Sequence, residues 1–460
     1  MRKSATHFAH PSFKGVIGVA QVDITPPVGI YSRLWGAAAH DTAEGVHRPL
    51  KATVMTIQSH VNETPLVLAG IDLGWWRNLA DEREVRGLII NEFGSGEEDV
   101  MICASHTHAG PSTSSDEADK PGGHLIKPYL EDLSEHLFRA ALDAQSYLTE
   151  AIITWRYGRC GLAQNRDLPD PDSDRILCGY HPNGPADDTL LVGRVSDLEG
   201  KPLATIVNYA CHPTTLAWEN KLISPDFVGA MREIVEGHTQ CPSLFLQGAS
   251  AELAGRESHQ GDTEVADKNG RELGWAVLST LEGMLPSGNA LEYAGMVESG
   301  APIATWKRAS DQPSSTLKAE RIEVELPLKD LPSLEQIDAD LKTCKDRTLI
   351  ERLWRKRCVR RNLGPGDTSR QNVWIWQLGD AVLIGQANEA YACFQQQLRQ
   401  RFEPAPVGVA GIVNGTCGYL PPAELYEKDI YQVWQTPFAK GCLERVEEAC
   451  EAAIERLLRE

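Results

Sequence analysis

Two histidines, His106 and His108, stand one residue apart in SHTHAGP at 105–111, and a third, His212, precedes Pro213. On an extended chain residues i and i+2 point to the same side, so the first two imidazoles can serve one ligand. Further along, Asn388 and Glu389 follow AVLIGQA, and Tyr419 follows GVAGIVNG. Two histidines, a carboxylate and one more oxygen donor make a zinc set with a position open for water. Zinc lowers the pKa of such a water to about 7 and polarises carbonyls, which is hydrolytic chemistry without a serine or cysteine nucleophile. Taken singly, each member also has an ordinary structural role. HxH arises by chance, His212 can close a strand, Glu389 can favour a helix start, and Gly418-Tyr419 before Pro421 is common turn material.

Other nucleophile patterns are weaker. GASAE at 248–252 is not a GxSxG elbow, and no Walker-type or dinucleotide-binding glycine loop occurs. Cys211, beside His212, reads as a small buried hydrophobe.

The elements that must position these groups are short apolar runs bounded by turn residues, at 54–58, 65–74, 99–105, 204–211, 243–248, 381–387 and 408–415. Continuous runs of this length suit strands buried on both faces. Between them, 127–148, 267–285, 333–341 and 439–458 carry apolar residues at helical spacing. The alternation predicts an α/β fold with mixed sheets flanked by helices. The candidate ligands all follow predicted strands, where sites form in open α/β sheets. The chain reads as one catalytic unit over 1–460, with a ribbon and helices at about 300–372 inserted before the last strands.

The 460 residues include 64 acidic and 45 basic side chains, a formal charge of −19. That balance argues against a nucleic-acid binder, which needs clustered cations for phosphate. The densest basic stretch, 342–361, contains Asp346 and Glu351 and is spaced like a helix, so it is expected to be a solvated face. No run reaches the ~18 apolar residues of a membrane span. The basic N-terminus lacks an apolar segment after it, and the eleven cysteines contain no CxxC pair. These features predict reduced thiols, a cytoplasmic location and no stable membrane insertion.

Longer strings sharpen the picture. GVAQVDITPPVG, SHTHAGP, QNR at 164–166, NYACHPTTL at 208–216, SPDFVG at 224–229, FLQGASAE at 245–252, GQANE at 385–389 and NGTCGYLPP at 414–422 occur in order along the chain. Together they resemble the catalytic domain of the neutral (non-lysosomal) ceramidase family. The resemblance ends with the C-terminal helix, so the immunoglobulin-like domain of ceramidases is not expected. It implies Zn²⁺ held by His106, His212, Glu389 and Tyr419, with His108, Arg166 and Tyr431 at the reacting centre. One position departs: where ceramidases read GDVSP, residues 251–255 read AELAG, which replaces the active-site serine with Ala254 and the aspartate with Glu252.

The expected activity is hydrolysis of an amide or ester by zinc-activated water. Tyr431, His108 and Arg166 would stabilise the oxyanion, and His108 or Glu252 would protonate the leaving amine. The strongly acidic chain points to a soluble N-acyl compound or small ester rather than ceramide. Two other outcomes use the same residues: a ligand-binding protein that lost turnover with the serine, and a non-hydrolytic zinc isomerase or lyase. The sequence assigns neither the oligomeric state nor the pathway.

Overall fold

The computed structural model describes residues 6–459. Its centre is an eight-stranded mixed sheet. The strands are Ser12–Asp23 (β1), Lys51–Gln58 (β2), Leu66–Ile71 (β3), Val100–Ala104 (β4), Thr149–Arg159 (β5), Thr189–Asp197 (β6), Pro202–Tyr209 (β7) and Ser243–Gln247 (β8), in spatial order β8-β7-β6-β5-β1-β2-β3-β4. Only the outermost pairs, β7 with β8 and β3 with β4, run parallel. A second sheet, in order β9-β10-β11-β12, holds Leu317–Pro327 (β9), Thr368–Leu378 (β10), Ala381–Gln386 (β11) and Val407–Ala410 (β12). The α/β class and each apolar run named as a strand are present.

Period-two alternation explains the layering. From β2, β3 and β4, Val54, Ala69 and Ile102 face Val85 and Ile89 of helix α1 (Leu79–Phe93) and Leu133 and Leu137 of helix α2 (Ile126–Ser146). The intervening Met55, Leu68 and Met101 face Trp374, Trp376 and Leu383 of the second sheet. The two sheets therefore pack face to face. Helices α3 (Phe227–Thr239) and α4 (Thr263–Glu282) extend the outer layer over β6–β8. The second sheet is covered by α7 (Ala392–Arg401) and α9 (Cys442–Arg459), whose Leu443, Val446, Cys450, Ile454 and Leu457 repeat at 3–4 spacing. Burying each Leu or Ile in this way contributes roughly 1.5–3 kcal/mol.

The stretch 300–372 supplies β9 and β10 to the second sheet. The excursion between them carries helices α5 (Leu334–Thr343) and α6 (Arg347–Leu363). Ser333 and Asp346 cap these helices by accepting from Gln336 N and Leu349 N. Helix α8 (Tyr431–Gln435) lies near them, and Trp434 of α8 stacks under Arg352 of α6. All eleven cysteines are free thiols. No helix among the described residues is long and apolar enough to cross a membrane.

Candidate metal centre

The ends of several strands converge on one point. β4 runs into His106, whose φ is +72°, a left-handed conformation that a non-glycine residue holds only at some cost. The turn is pinned by His106 N donating to Leu73 O at 2.8 Å. It also ends the extended geometry expected of HTH, yet the rings of His106 and His108 remain neighbours, 4.9 Å apart edge to face. β7 leads to His212, whose backbone bridges to Ala254. Glu389 and Tyr419 sit opposite each other in a two-residue parallel pairing, Glu389–Ala390 with Tyr419–Leu420.

His106 Nδ1 lies 3.0 Å from Gly74 O and His212 Nδ1 lies 2.9 Å from Ser250 O. Carbonyls only accept, so each Nδ1 carries its ring proton and each Nε2 presents a bare lone pair. Those two Nε2 atoms are 3.0 Å apart, and Glu389 Oε2 lies 3.3 Å and 3.1 Å from them. Three electron-rich atoms this close repel one another; Arg166 Nη2 approaches only one of them, His212 Nε2, at 3.5 Å, so a bound cation would relieve the rest. Tetrahedral zinc with ~2.0–2.1 Å bonds sets its ligand atoms about 3.3–3.4 Å apart, so the donor set fits such an ion. His108 also has a ring nitrogen within 4.8 Å of the ligand atoms of His106 and His212, which makes it a further donor within reach of the same point.

The electrostatics match. Burial, and then Arg166, pushes the His212 imidazole down to about 3. Burial opposes ionisation of Glu389, but His106 and His212 outweigh it and hold the carboxyl well below its usual range. Burial and Glu389 push the Tyr419 phenol well up. A neutral His212 imidazole and an ionised Glu389 carboxylate are forms that bind a metal.

The remaining candidates divide. Arg166 Nε and Nη2 donate to Ala251 O at 2.9 and 2.6 Å, and Nη2 reaches Tyr419 Oη at 3.4 Å. The ring nitrogens of His108 have no hydrogen-bond partner among the described residues. Its ring sits between Trp35 at 5.1 Å and Trp75 at 4.9 Å. Tyr431 packs its ring edge to face with Tyr419 at 5.6 Å. His108, Tyr419 and Tyr431 line a cavity of about 70 Å³ together with His106 and Glu389. Glu252 does not line it. Its carboxylate accepts from Ala392 N at 2.9 and 3.1 Å, at the start of α7, and burial raises it to about 8. The longer glutamate side chain meets the first residue of α7, so its carboxylate is engaged by that helix start.

Sequence reasoning missed the roof. Arg355 of α6 lines the same cavity, over the Trp75 ring at 5.3 Å. Beneath it, buried Arg77 joins core to helix, with Glu117 at 2.8 Å and Glu351 at 2.9 Å. Glu351 Oε1 also accepts from Arg355 Nε at 3.1 Å. The overlooked signal was Glu351 itself, an acid set among arginines on a helix that also carries Leu353, Trp354 and Cys358.

The family description "Neutral/alkaline non-lysosomal ceramidase, N-terminal" matches residues 16–263. The chain belongs to this family. A curated relative, the neutral ceramidase of Oryza sativa subsp. japonica, is 25% identical over 253 residues, which is 51% of this chain and 30% of that protein. The match thus spans under a third of the rice relative's length. Among solved structures, a ceramidase complexed with C2 aligns with a TM-score of 0.67 at 15% identity, covering 95% of this chain and 74% of that one. A neutral ceramidase from Pseudomonas aeruginosa aligns with a TM-score of 0.64 at 16% identity, covering 96% and 74%. These alignments show a shared fold. The family segment contains His106, His108, Arg166, His212 and Glu252, whereas Glu389, Tyr419 and Tyr431 lie beyond it and rest on geometry.

Proposed function

We propose that the chain is a zinc-dependent hydrolase of N-acyl amide or ester bonds, related to ceramidases but acting on a soluble substrate in the cytoplasm. The carrying observation is the convergence of His106 Nε2, His212 Nε2 and Glu389 Oε2 within 3.0–3.3 Å, with both Nδ1 protons anchored on carbonyls. Family membership supports amide chemistry, and the acidic chain supports a water-soluble substrate.

His106, His212, Glu389 and Tyr419 would hold the ion. A zinc ion there supplies Lewis acidity toward a carbonyl and toward water. Arg166, spanning Ala251 O and Tyr419 Oη, fixes the phenol beside the carboxylate. Burial keeps the His108 imidazole neutral, so a ring nitrogen can take a proton from water and return it to the leaving amine. Tyr431 Oη would donate to the carbonyl oxygen as charge develops. The aromatic walls of Trp35 and Trp75 exclude bulk water around His108. In balance, the acyl C–N bond breaks, the carbon gains OH and the nitrogen gains H. Ala254 carries no hydroxyl, so no serine at that position attacks. Glu252 would act only by positioning, through Ala392, the segment that carries Glu389. The unit performing this would be the whole of 1–460, with α6 closing the site.

The test combines metal analysis with turnover of an amide and ester panel in ¹⁸O-water. About one zinc per chain with label in the acid product is expected. Full zinc without turnover would instead mark a ligand-binding protein, and turnover without label a lyase or isomerase.

A further inference from the structure

The stretch expected to be a solvated basic face, 342–361, in fact roofs the candidate centre. Arg355, Cys358, Val359 and Asn362 of α6 line the metal cavity. One strip round the helix, Arg352, Lys356 and Arg360 line an adjoining groove of about 610 Å³. The two spaces share Val359 and Gln435 in their walls, so they adjoin. A chain of rings follows the same route: Tyr431 meets Trp434 at 5.2 Å, and the Arg352 guanidinium lies 5.0 Å over the Trp434 ring.

The groove's charge is opposite to that of the chain. Four cations line it, Lys329, Arg352, Lys356 and Arg360, against Asp330 and Asp340, in a protein of net charge −19. Two of the cations are engaged: Lys329 Nζ donates to Val433 O, and Arg360 Nη1 to Gly364 O at 2.6 Å. Arg352 and Lys356 are exposed and form no hydrogen bond or ion pair among the described residues. They stand one turn apart on one helix face, about 6 Å along the axis. Elsewhere α6 neutralises its arginines, as with Arg347 and Asp41 or Arg357 and Asp338. Two uncompensated cations beside an aromatic ring, at the mouth of a metal site, form a receptor for an anion.

Resting on the hydrolase reading above, we infer that the substrate is an N-acyl compound bearing an anionic group, such as a carboxylate. That group is held by Arg352 and Lys356 in the groove while the scissile carbonyl reaches the His106–His212–Glu389 centre. Arg352 and Lys356 are thus specificity-determining residues. The recognised chemistry is the anion, whether it belongs to a free amide or to an acyl lipid.

The test uses the zinc-loaded full chain and two matched pairs: N-hexanoylglycine with N-hexanoylglycinamide, and glutaryl p-nitroanilide with its neutral terminal amide. The expected kcat/KM preference for the anionic member is about tenfold at low salt, ~1.4 kcal/mol, shrinking as NaCl rises. In the R352Q/K356Q double variant the preference should collapse toward one, through KM. In R139Q, which removes an exposed cation on α2, it should persist. Preference in free N-hexanoylglycine assigns a soluble substrate. Preference confined to N-palmitoylglycine in phosphatidylcholine vesicles assigns the same anion to a lipid. Equal rates within both pairs, or a preference that survives the double variant, overturn the inference while leaving the hydrolase reading intact. If no amide is cleaved, that reading fails separately. Calorimetric binding of N-hexanoylglycine against N-hexanoylglycinamide then decides the subsite: anion-selective binding lost in the double variant supports it, and equal binding overturns it.

Discussion

The floor and the roof of the candidate centre are built on different principles. The floor is made of strand ends rooted in both sheets, and each candidate ligand is fixed by backbone: His106 by Leu73 and Gly74, His212 by Ser250, Glu389 by its pairing with Tyr419. The roof is a polar helix with few buried apolar residues, fastened by the Arg77–Glu351 pair and by Arg347 on the 38–41 loop. Apolar burial holds the floor in one geometry whatever the ionic conditions. Ion pairs hold the roof: the buried Arg77–Glu351 pair responds to loss of a charge, and the exposed Arg347–Asp41 pair to salt as well. On the proposed function, chemistry falls to the rigid part and recognition to the adjustable part.

Removing a ligand breaks the floor most severely. His106→Ala or His212→Ala should take zinc from about one per chain to near zero and lower kcat/KM by roughly 10³-fold or more. Elemental analysis beside kinetics checks this, and a variant that keeps its zinc would sink the ligand assignment. Breaking the fastening is next. Arg77→Met leaves Glu117 buried without its arginine and Glu351 with Arg355 alone, which costs about 3–5 kcal/mol. Hydrogen exchange should rise first over 347–363, while the floor strands stay protected; uniform loss of protection would contradict the division.

Tyr431→Phe acts at the seam between the two. It should retain metal and lose roughly 10²-fold in kcat, and a change confined to KM would remove the oxyanion role. The smallest effect is a pH slope. Glu252 is raised by burial from 4.5 to about 8, so below pH 4.5 folded and unfolded chains are both protonated there. Between 4.5 and 8 the unfolded chain has released a proton that the folded chain still binds, and stability falls as pH rises, levelling off above 8. Glu252→Gln should flatten that slope and raise Tm by a few degrees at pH 8, at saturating zinc. A slope identical to the parent's would show that Glu252 is not the group responsible.

The floor was legible in the sequence because buried strands are continuous apolar runs and their ends are where polar residues stand out. SHTHAGP after 99–105 and ACHP after 204–211 announce themselves in this way. The face-to-face sheets were not legible. A run such as VMTIQ shows that both faces are covered, but not that one meets helices and the other meets Trp374 and Trp376. The roof was hidden for another reason. Charge density along α6 signals solvent, and the burial of Glu351 depends on Arg77, far away in sequence. Glu252 was legible as a motif member only. The direction of its carboxylate is set by the backbone of Ala392.

The two-residue pairing of Glu389 with Tyr419 also governs which length changes the chain tolerates. The connecting path includes α7 and β12, and its surface turn at 402–406 joins them through Phe402 and Pro406. An added residue in that turn leaves the pairing where it is. One added residue between 415 and 419 shifts the short strand by one position, and a one-residue slip sends every side chain to the opposite face. Natural variation should therefore tolerate added residues at 402–406 and reject them at 415–418.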